Sequence, residues 1–168
     1  MSETIRLAIQ KSGRLSEDSL KIIKECGIKF SKGGGTLKTT AYNFPLEFLF
    51  LRDDDIPGYV ADGTADIGIV GENVLVEEQL VSNVELDANI IMRLGFSKCK
   101  LCLASPDGKP FESVKSLKNT RIATTYPGVL RKFLFEEDIK ATLVEMKGAV
   151  ELAPSIGIAD SICDLVSS

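Results

Sequence analysis

Along the chain, short apolar runs of β type alternate with stretches whose apolar residues recur at three- and four-residue spacing. "IRLAIQ" (5–10) predicts a strand. "SEDSLKIIKECGI" (16–28) predicts a helix capped by Ser16, with Leu20, Ile23 and Cys26 at helical spacing and Gly27 at its end. "TLKTTAY" and "LEFLFL", separated by "NFP", predict two strands joined by a turn. "DIPGYVADG" predicts a short helix, "ADIGIVG" a buried strand and "ENVLVEEQLV" another helix. A second series comes next: "NIIMRLGF" and "KCKLCLAS", a helix near 113–117, "RIATTY", a helix over 128–136, "ATLVEMK" and the tail.

Strands that alternate with helices argue for an α/β fold with mostly parallel sheets, in which ligands sit beyond the carboxyl ends of the strands. "GFSKC" near residue 95 reads as the crossover between two lobes, 1–95 and 96–168. The Gly-rich "SKGGGT" (31–36) lacks the Lys-Ser/Thr ending of a phosphate-binding P-loop and is expected to be a surface turn. No internal repeat of the solenoid kind is visible.

Composition narrows the chemistry. The 168 residues carry 20 basic and 24 acidic side chains, a net charge of −4, and these are interspersed. No field strong enough to draw nucleic acid or an anionic membrane is expected, so an anionic ligand must be held by local groups. The start, "MSETIRLAIQKSGRL", has no signal-peptide pattern and no run long enough to span a bilayer, which makes the cytoplasm the expected location. Histidine is absent, which excludes Ser-His and Cys-His catalysis. Four cysteines, Cys26, Cys99, Cys102 and Cys163, are too few for a disulfide framework. The CxxC of "CKLC" lies in a strand, where positions three apart face opposite ways, so buried reduced thiols are expected instead of a metal site.

Four stretches could carry chemistry. In "QKSGRLSEDS" a strand ends at Gln10 and gives way to a helix, with Lys11 and Arg14 flanking Ser12-Gly13. This makes either an anion site or a solvated turn. In "LFLRDDDIPGYV", Asp54 or Asp55 is placed to cap the helix that Pro57 begins. Arg52, at the strand's end, either grips phosphate or pairs with Asp53 or Asp54. "DGTADIGIVGEN" puts Gly71, Glu72 and Asn73 on the same rim as Arg14 and Arg52. In the tail, strand alternation puts Asp160, Ile162 and Asp164 on one face, where two carboxylates either share a ligand or divalent cation or simply face solvent; Glu151 is a third acid among apolar neighbours.

Taken together, "QKSGRLSEDS", "RDDDIPGYVADGTADIGIVGENV", "RIATTYP" and "ELAPSIGIADSICDLVSS" resemble the ATP phosphoribosyltransferase family, in order and over nearly the whole chain. The resemblance implies a two-lobed fold like that of periplasmic binding proteins (type II), with the active site between lobes. It implies Mg²⁺-dependent condensation of ATP with phosphoribosyl pyrophosphate at the start of histidine biosynthesis. Carried onto this chain, it makes Arg14 and Arg52, assisted by Lys11, contacts for triphosphate or departing pyrophosphate. Asp160 and Asp164, with Glu151, would hold ribose hydroxyls or Mg²⁺, and Gln10, Gly71, Asn73 and Tyr126 would line the nucleotide side.

Family members continue after "DLVSS" with a Gly-x-Thr turn that cradles the sugar donor's phosphate. Ser167 and Ser168 would begin that cradle, and the resemblance implies a truncated catalytic part of a longer enzyme. The whole enzyme would be a homo-oligomer, dimer to hexamer, feedback-regulated through its own C-terminal domain, or a hetero-oligomer with a regulatory subunit. The competing reading is a non-catalytic module of the same fold that binds a small anion or nucleotide.

Overall fold

The computed structural model describes residues 4–82 and 87–167 and divides into two compact units, Met1–Ser97 and Lys98–Ser168. In the first unit, β1 (Ile5–Gln10), α1 (Arg14–Glu25), β2 (Lys38–Thr40), β3 (Leu46–Leu51), α2 (Ile56–Ala61), β4 (Ile67–Ile69) and α3 (Glu72–Ser82) succeed one another. The sheet order is β2-β3-β1-β4. β1 runs parallel to both β3 and β4, and β2 runs antiparallel to β3.

β1 is an apolar run because both its faces are covered. Leu7 and Ile9 join Ile23 of α1 and Phe48 and Phe50 of β3 on one side, while Ala8 meets Ile56 and Ala65 on the other. The aromatic residues form a short ladder: Phe30 lies 4.5 Å from Phe48, which lies 6.2 Å from Phe50. Lys24 sits over the Phe30 end and Lys32 over the Phe50 end.

In the second unit, β5 (Cys99–Ala104), a 3-10 turn (Val114–Leu117), β6 (Arg121–Thr124), α4 (Pro127–Glu136), β7 (Thr142–Glu145), a 3-10 turn (Val150–Leu152) and β8 (Ser161–Ser167) form a sheet of order β5-β8-β6-β7. β6 is parallel to β7 and β8, and β5 is antiparallel to β8. Ile122 packs with Leu130, Leu134 and Cys163, and Ala123 on the opposite face packs with Val150, Ala153 and Ala159.

Both units therefore contain the same three-strand parallel kernel, and both lock it the same way. Arg6 at the start of β1 donates its Nε and Nη2 to the Asp66 carboxylate at 3.2 and 3.0 Å and its backbone N–H to the same carboxylate at 2.7 Å, while the Asp66 N–H donates to the Arg6 carbonyl at 2.9 Å. Arg121 and Asp160 repeat this at 3.3, 2.9, 2.8 and 2.8 Å. Each arginine also donates to the carbonyl of a left-handed glycine, Gly63 (φ 75°) or Gly157 (φ 77°), at the turn before the aspartate. The register matches as well: Leu7 faces Ile67, and Ile122 faces Ser161. The fingerprints are Arg6-Leu7-Ala8 with Gly63-Thr64-Ala65-Asp66, and Arg121-Ile122-Ala123 with Gly157-Ile158-Ala159-Asp160.

Several expectations need correction. Ser16 does not cap α1; it is buried inside the first turn. Gly13, at φ 95°, caps instead and lets the chain turn directly from β1 into the helix. "NIIMRLGF" forms no strand, and Gly95 near its end adopts positive φ. Arg93 of that segment reaches back to Glu72, and Ser97, just after it, to Asp18. "ADIGIVG" is half-buried, since β4 lies at the sheet edge. The helix near 113–117 is a 3-10 turn. The cysteines are free, yet only Cys163 is buried; Cys26 ends a helix and Cys99 begins an edge strand, so both are exposed, and Cys102 is intermediate. Among the described residues no helix is long and apolar enough to cross a membrane.

Hydrogen bonds from Arg6 and Arg121 hold the Asp66 and Asp160 carboxyls below their ordinary value of 3.8. A folded-state pKa below the unfolded one stabilises above the unfolded value and loses that contribution as pH falls through the folded value. Asp66→Asn and Asp160→Asn should therefore each lower Tm by a few degrees at neutral pH. In thermal melts across pH, the gap to the parent protein should narrow once pH falls below about 4. Gly68 gives a second prediction: a Cβ there would lie 2.7 Å from Ile56 Cγ2 and 3.0 Å from Val60 Cγ2, both on α2. Gly68→Ala should cost about 1–3 kcal/mol by denaturant unfolding, the usual range for overpacking.

Candidate functional site

In the first unit β1 connects through α1 to the β2/β3 side, and β3 connects through α2 to β4 on the other side of β1, so the carboxyl end of β1 lies at a topological switch point, where α/β sheets bind ligands. Gln10 ends β1. The Lys11 N–H donates to the Leu51 carbonyl at 2.7 Å, which ties this turn to the end of β3. The Lys11 carbonyl accepts a 2.7 Å hydrogen bond from Lys32 Nζ. Gly13 then starts α1, with the Gln10 amide 3.9 Å from where a Cβ would stand, and exposed Arg14 is the first helical residue.

Arg52 comes directly after β3 and remains exposed; its Nη2 lies 3.1 Å from Asp54 Oδ2. That pair takes Asp54 away from capping. Asp55 occupies the N-cap position of α2 but makes no side-chain cap bond, so the expected carboxylate cap is absent. The aspartate run is instead a tight turn, with the Asp55 N–H on the Arg52 carbonyl at 3.2 Å and the Ile56 N–H on the Asp53 carbonyl at 3.3 Å. After β4, Gly71 accepts the first backbone bonds of α3. The Asn73 side chain folds back so closely over Gly71 that a Cβ there would collide with it. Glu72 is gripped by Arg93 at 2.6 and 3.3 Å, and these hydrogen bonds hold its carboxyl below the usual range.

Gln10, Lys11, Arg14, Arg52, Gly71 and Asn73 thus lie at or just past the carboxyl ends of three adjacent parallel strands. Such strand ends span about 10 Å, a scale that fits a polyphosphate. Lys32 and Arg93 join this edge and were not anticipated. Lys32 sits in the Gly-rich stretch read as a plain surface turn, where its only signal was a lysine directly before three glycines; Arg93 lies in a segment read as a strand.

In the second unit, Tyr126 comes after β6 and caps α4, and its N–H donates to Thr124 Oγ1 at 2.9 Å. Exposed Glu151 lies on the 3-10 turn after β7. Ser167 ends β8, and Ser168 lies outside the described residues. Asp164 is half-buried within β8, opposite Cys102 on β5, and accepts the Leu165 N–H at 2.8 Å.

Asp160 departs from the expectation. It precedes β8, at the amino edge of the sheet, with both carboxylate oxygens engaged by Arg121. Asp164 lies four positions farther along extended chain, about 13 Å at strand rise, so the two cannot coordinate one ion. Among the described residues no group of three His, Cys, Asp or Glu side chains could hold a metal ion. A resident Mg²⁺ on Asp160 and Asp164 therefore does not fit this chain.

Comparisons agree on one family. The sequence profile described as ATP phosphoribosyltransferase matches residues 52–168. The chain is 62% identical over all its 168 residues to an ATP phosphoribosyltransferase of Cytophaga hutchinsonii, of which it covers 57%. It is 48% identical over 164 residues, 98% of its length, to one of Parabacteroides distasonis, of which it covers 56%. The chain thus spans little more than half the length of these curated relatives. Among solved structures it is similar to the ATP phosphoribosyl transferase (HisG:HisZ) complex from Thermotoga maritima, with TM-score 0.72, 29% identity, and coverage of 96% of this chain and 74% of that one. The periplasmic aliphatic sulphonate binding protein SsuA of Escherichia coli shares the fold alone, at TM-score 0.57 and 12% identity over 97% of this chain and 54% of that one.

Proposed function

Since the chain belongs to the ATP phosphoribosyltransferase family, we propose that within the complete protein it forms catalytic machinery that joins ATP to phosphoribosyl pyrophosphate. The products are N1-(5-phosphoribosyl)-ATP and pyrophosphate, and the reaction opens histidine biosynthesis in the cytoplasm. The observation that carries this reading is the cationic edge of the first unit, where Lys11, Arg14, Arg52 and Lys32 gather at the ends of β1 and β3.

The chemistry suits a chain without histidine. Adenine N1 attacks through a lone pair it already has, and the bond from ribose C1 to the pyrophosphate oxygen breaks, so no base has to free the nucleophile. What the site must supply is charge and alignment. Negative charge grows on the departing pyrophosphate as the sugar takes on oxocarbenium character, and fixed cations stabilise it without reorganising. Arg52 and Arg14, with Lys11, take that role, and Asp54 keeps the Arg52 guanidinium oriented while leaving most of its donors open.

Gln10, Gly71 and Asn73 of the first unit are assigned to the nucleotide, and so is Tyr126 of the second. Asp164, half-buried and not held by an arginine in the way Asp160 is, accepts hydrogen bonds from ribose hydroxyls, with Glu151 in support. Ser167 lies toward the phosphate of the sugar donor. The Mg²⁺ of the family resemblance belongs on the substrate phosphates, whose oxygens are the hard ligands that ion prefers. By extension from the Thermotoga maritima complex, the complete protein works as an oligomer, of its own copies or with a regulatory subunit.

Pyrophosphate release by the full-length protein, given both substrates and Mg²⁺, tests this reading. Release should require both substrates, and none above background would end it. Within that assay Arg52→Ala should reduce kcat/KM about a hundredfold at an unchanged Tm. Unchanged turnover with a large drop in Tm would make Arg52 a structural ion-pair partner only. Asp164→Asn should raise KM for the sugar donor and leave Tm in place, whereas Asp160→Asn should act mainly on Tm.

A further inference from the structure

Lys32 is exposed, yet its ammonium group is fixed from two directions. Its Nζ donates to the Lys11 carbonyl at 2.7 Å and stands 4.4 Å from the centre of the Phe50 ring. Phe50 is fully buried and belongs to β3, the strand that ends beside Arg52. The loop carrying Lys32 is pinned at its base, where Thr39 Oγ1 donates to the Ser31 carbonyl at 2.9 Å and the Phe50 N–H donates to the Leu37 carbonyl at 2.8 Å. Between those points Gly33, Gly34 and Gly35 make the turn, with Gly35 at φ 75°. A loop anchored at its base thus delivers one cation onto one carbonyl.

That carbonyl matters because it opens the turn into α1. Lys11 is held through its N–H by Leu51 and through its C=O by Lys32, and the next residues, Ser12 and Gly13, turn the chain into Arg14. These two bonds hold the Lys11 peptide groups at the start of the turn, which leads on to exposed Arg14 beside the strand that ends before Arg52. A cationic bridge between the two strand ends also adds positive charge there without needing a counter-ion of its own.

We propose that Lys32 is a positioning residue for the phosphoribosyl transfer: it fixes the Lys11–Arg14 turn through the Lys11 carbonyl, with Phe50 as the platform that aims it. The proposal rests on the reading of this protein as part of a phosphoribosyltransferase. A positioning role predicts a loss in turnover, since a misplaced turn fails at the transition state; a ground-state anion contact would raise KM alone, and a purely structural one would lower Tm.

The experiment compares the full-length enzyme with Lys32→Met and Lys32→Arg, measuring kcat and KM for both substrates by pyrophosphate release, and Tm. The methionine variant should lose about tenfold or more in kcat, and the arginine variant, which keeps the charge and the stacking, should recover most of that loss. Both should melt within a few degrees of the parent. Unchanged kcat in Lys32→Met, a rise in KM alone, a kcat loss that arginine does not restore, or a loss that tracks Tm would each overturn the assignment. If the unsubstituted enzyme releases no pyrophosphate, the functional reading falls first, and with it the reaction Lys32 was assigned to.

Discussion

Each sheet depends on a single repeated constraint: one arginine and one aspartate tie together the amino ends of two neighbouring parallel strands. A parallel pair has no hairpin to set its register, and a slip of one residue would turn every side chain to the wrong face. The clamp removes that freedom, because the aspartate takes the backbone N–H and the guanidinium of the arginine at once, and returns its own N–H to the arginine carbonyl. Each pair is about half exposed, so its Coulomb attraction is screened and modest. Its value lies in geometry: charge, two backbone bonds and a left-handed glycine all specify the same alignment.

Placing the clamps at the amino edge leaves the carboxyl edge for chemistry. Ala8 and Ala65, and their counterparts Ala123 and Ala159, are buried beside each clamp. At the other edge β1, β3 and β4 run into the segments that carry Lys11, Arg52 and Gly71, and β6 ends at Thr124, two residues before Tyr126. The division also explains how two aspartates four residues apart come to differ. Asp160 lies at the locked end and is consumed by Arg121; Asp164 lies farther along β8, away from the clamp.

Most of the architecture was readable from periodicity, because β1, β3, α1, α4 and the tail strand carry apolar patterns that match their burial. The candidate edge was readable too, since Arg14 and Arg52 stand where an apolar run gives way to a turn. What periodicity could not convey was side-chain pairing at a distance. Asp160 looked like a ligand because strand alternation is blind to an arginine 39 residues earlier in the chain. Lys32 looked like ordinary loop charge because nothing local shows that it bends back to residue 11. The strand expected at "NIIMRLGF" is absent for a related reason: Arg93 finds its partner in Glu72, and left-handed Gly95 interrupts the run near its end.

The two kernels differ most in the spacing from arginine to aspartate: 60 residues in the first unit and 39 in the second. The helix and the parallel strand have counterparts in both, so the surplus falls largely on the segment from Ile28 to Pro45, the Gly-rich loop and the β2 hairpin strand, which the second unit lacks between α4 and β7. That segment is the portion the two kernels do not share. Lys32 is part of it, so the bridge to Lys11 belongs to what makes the first unit chemically unlike the second.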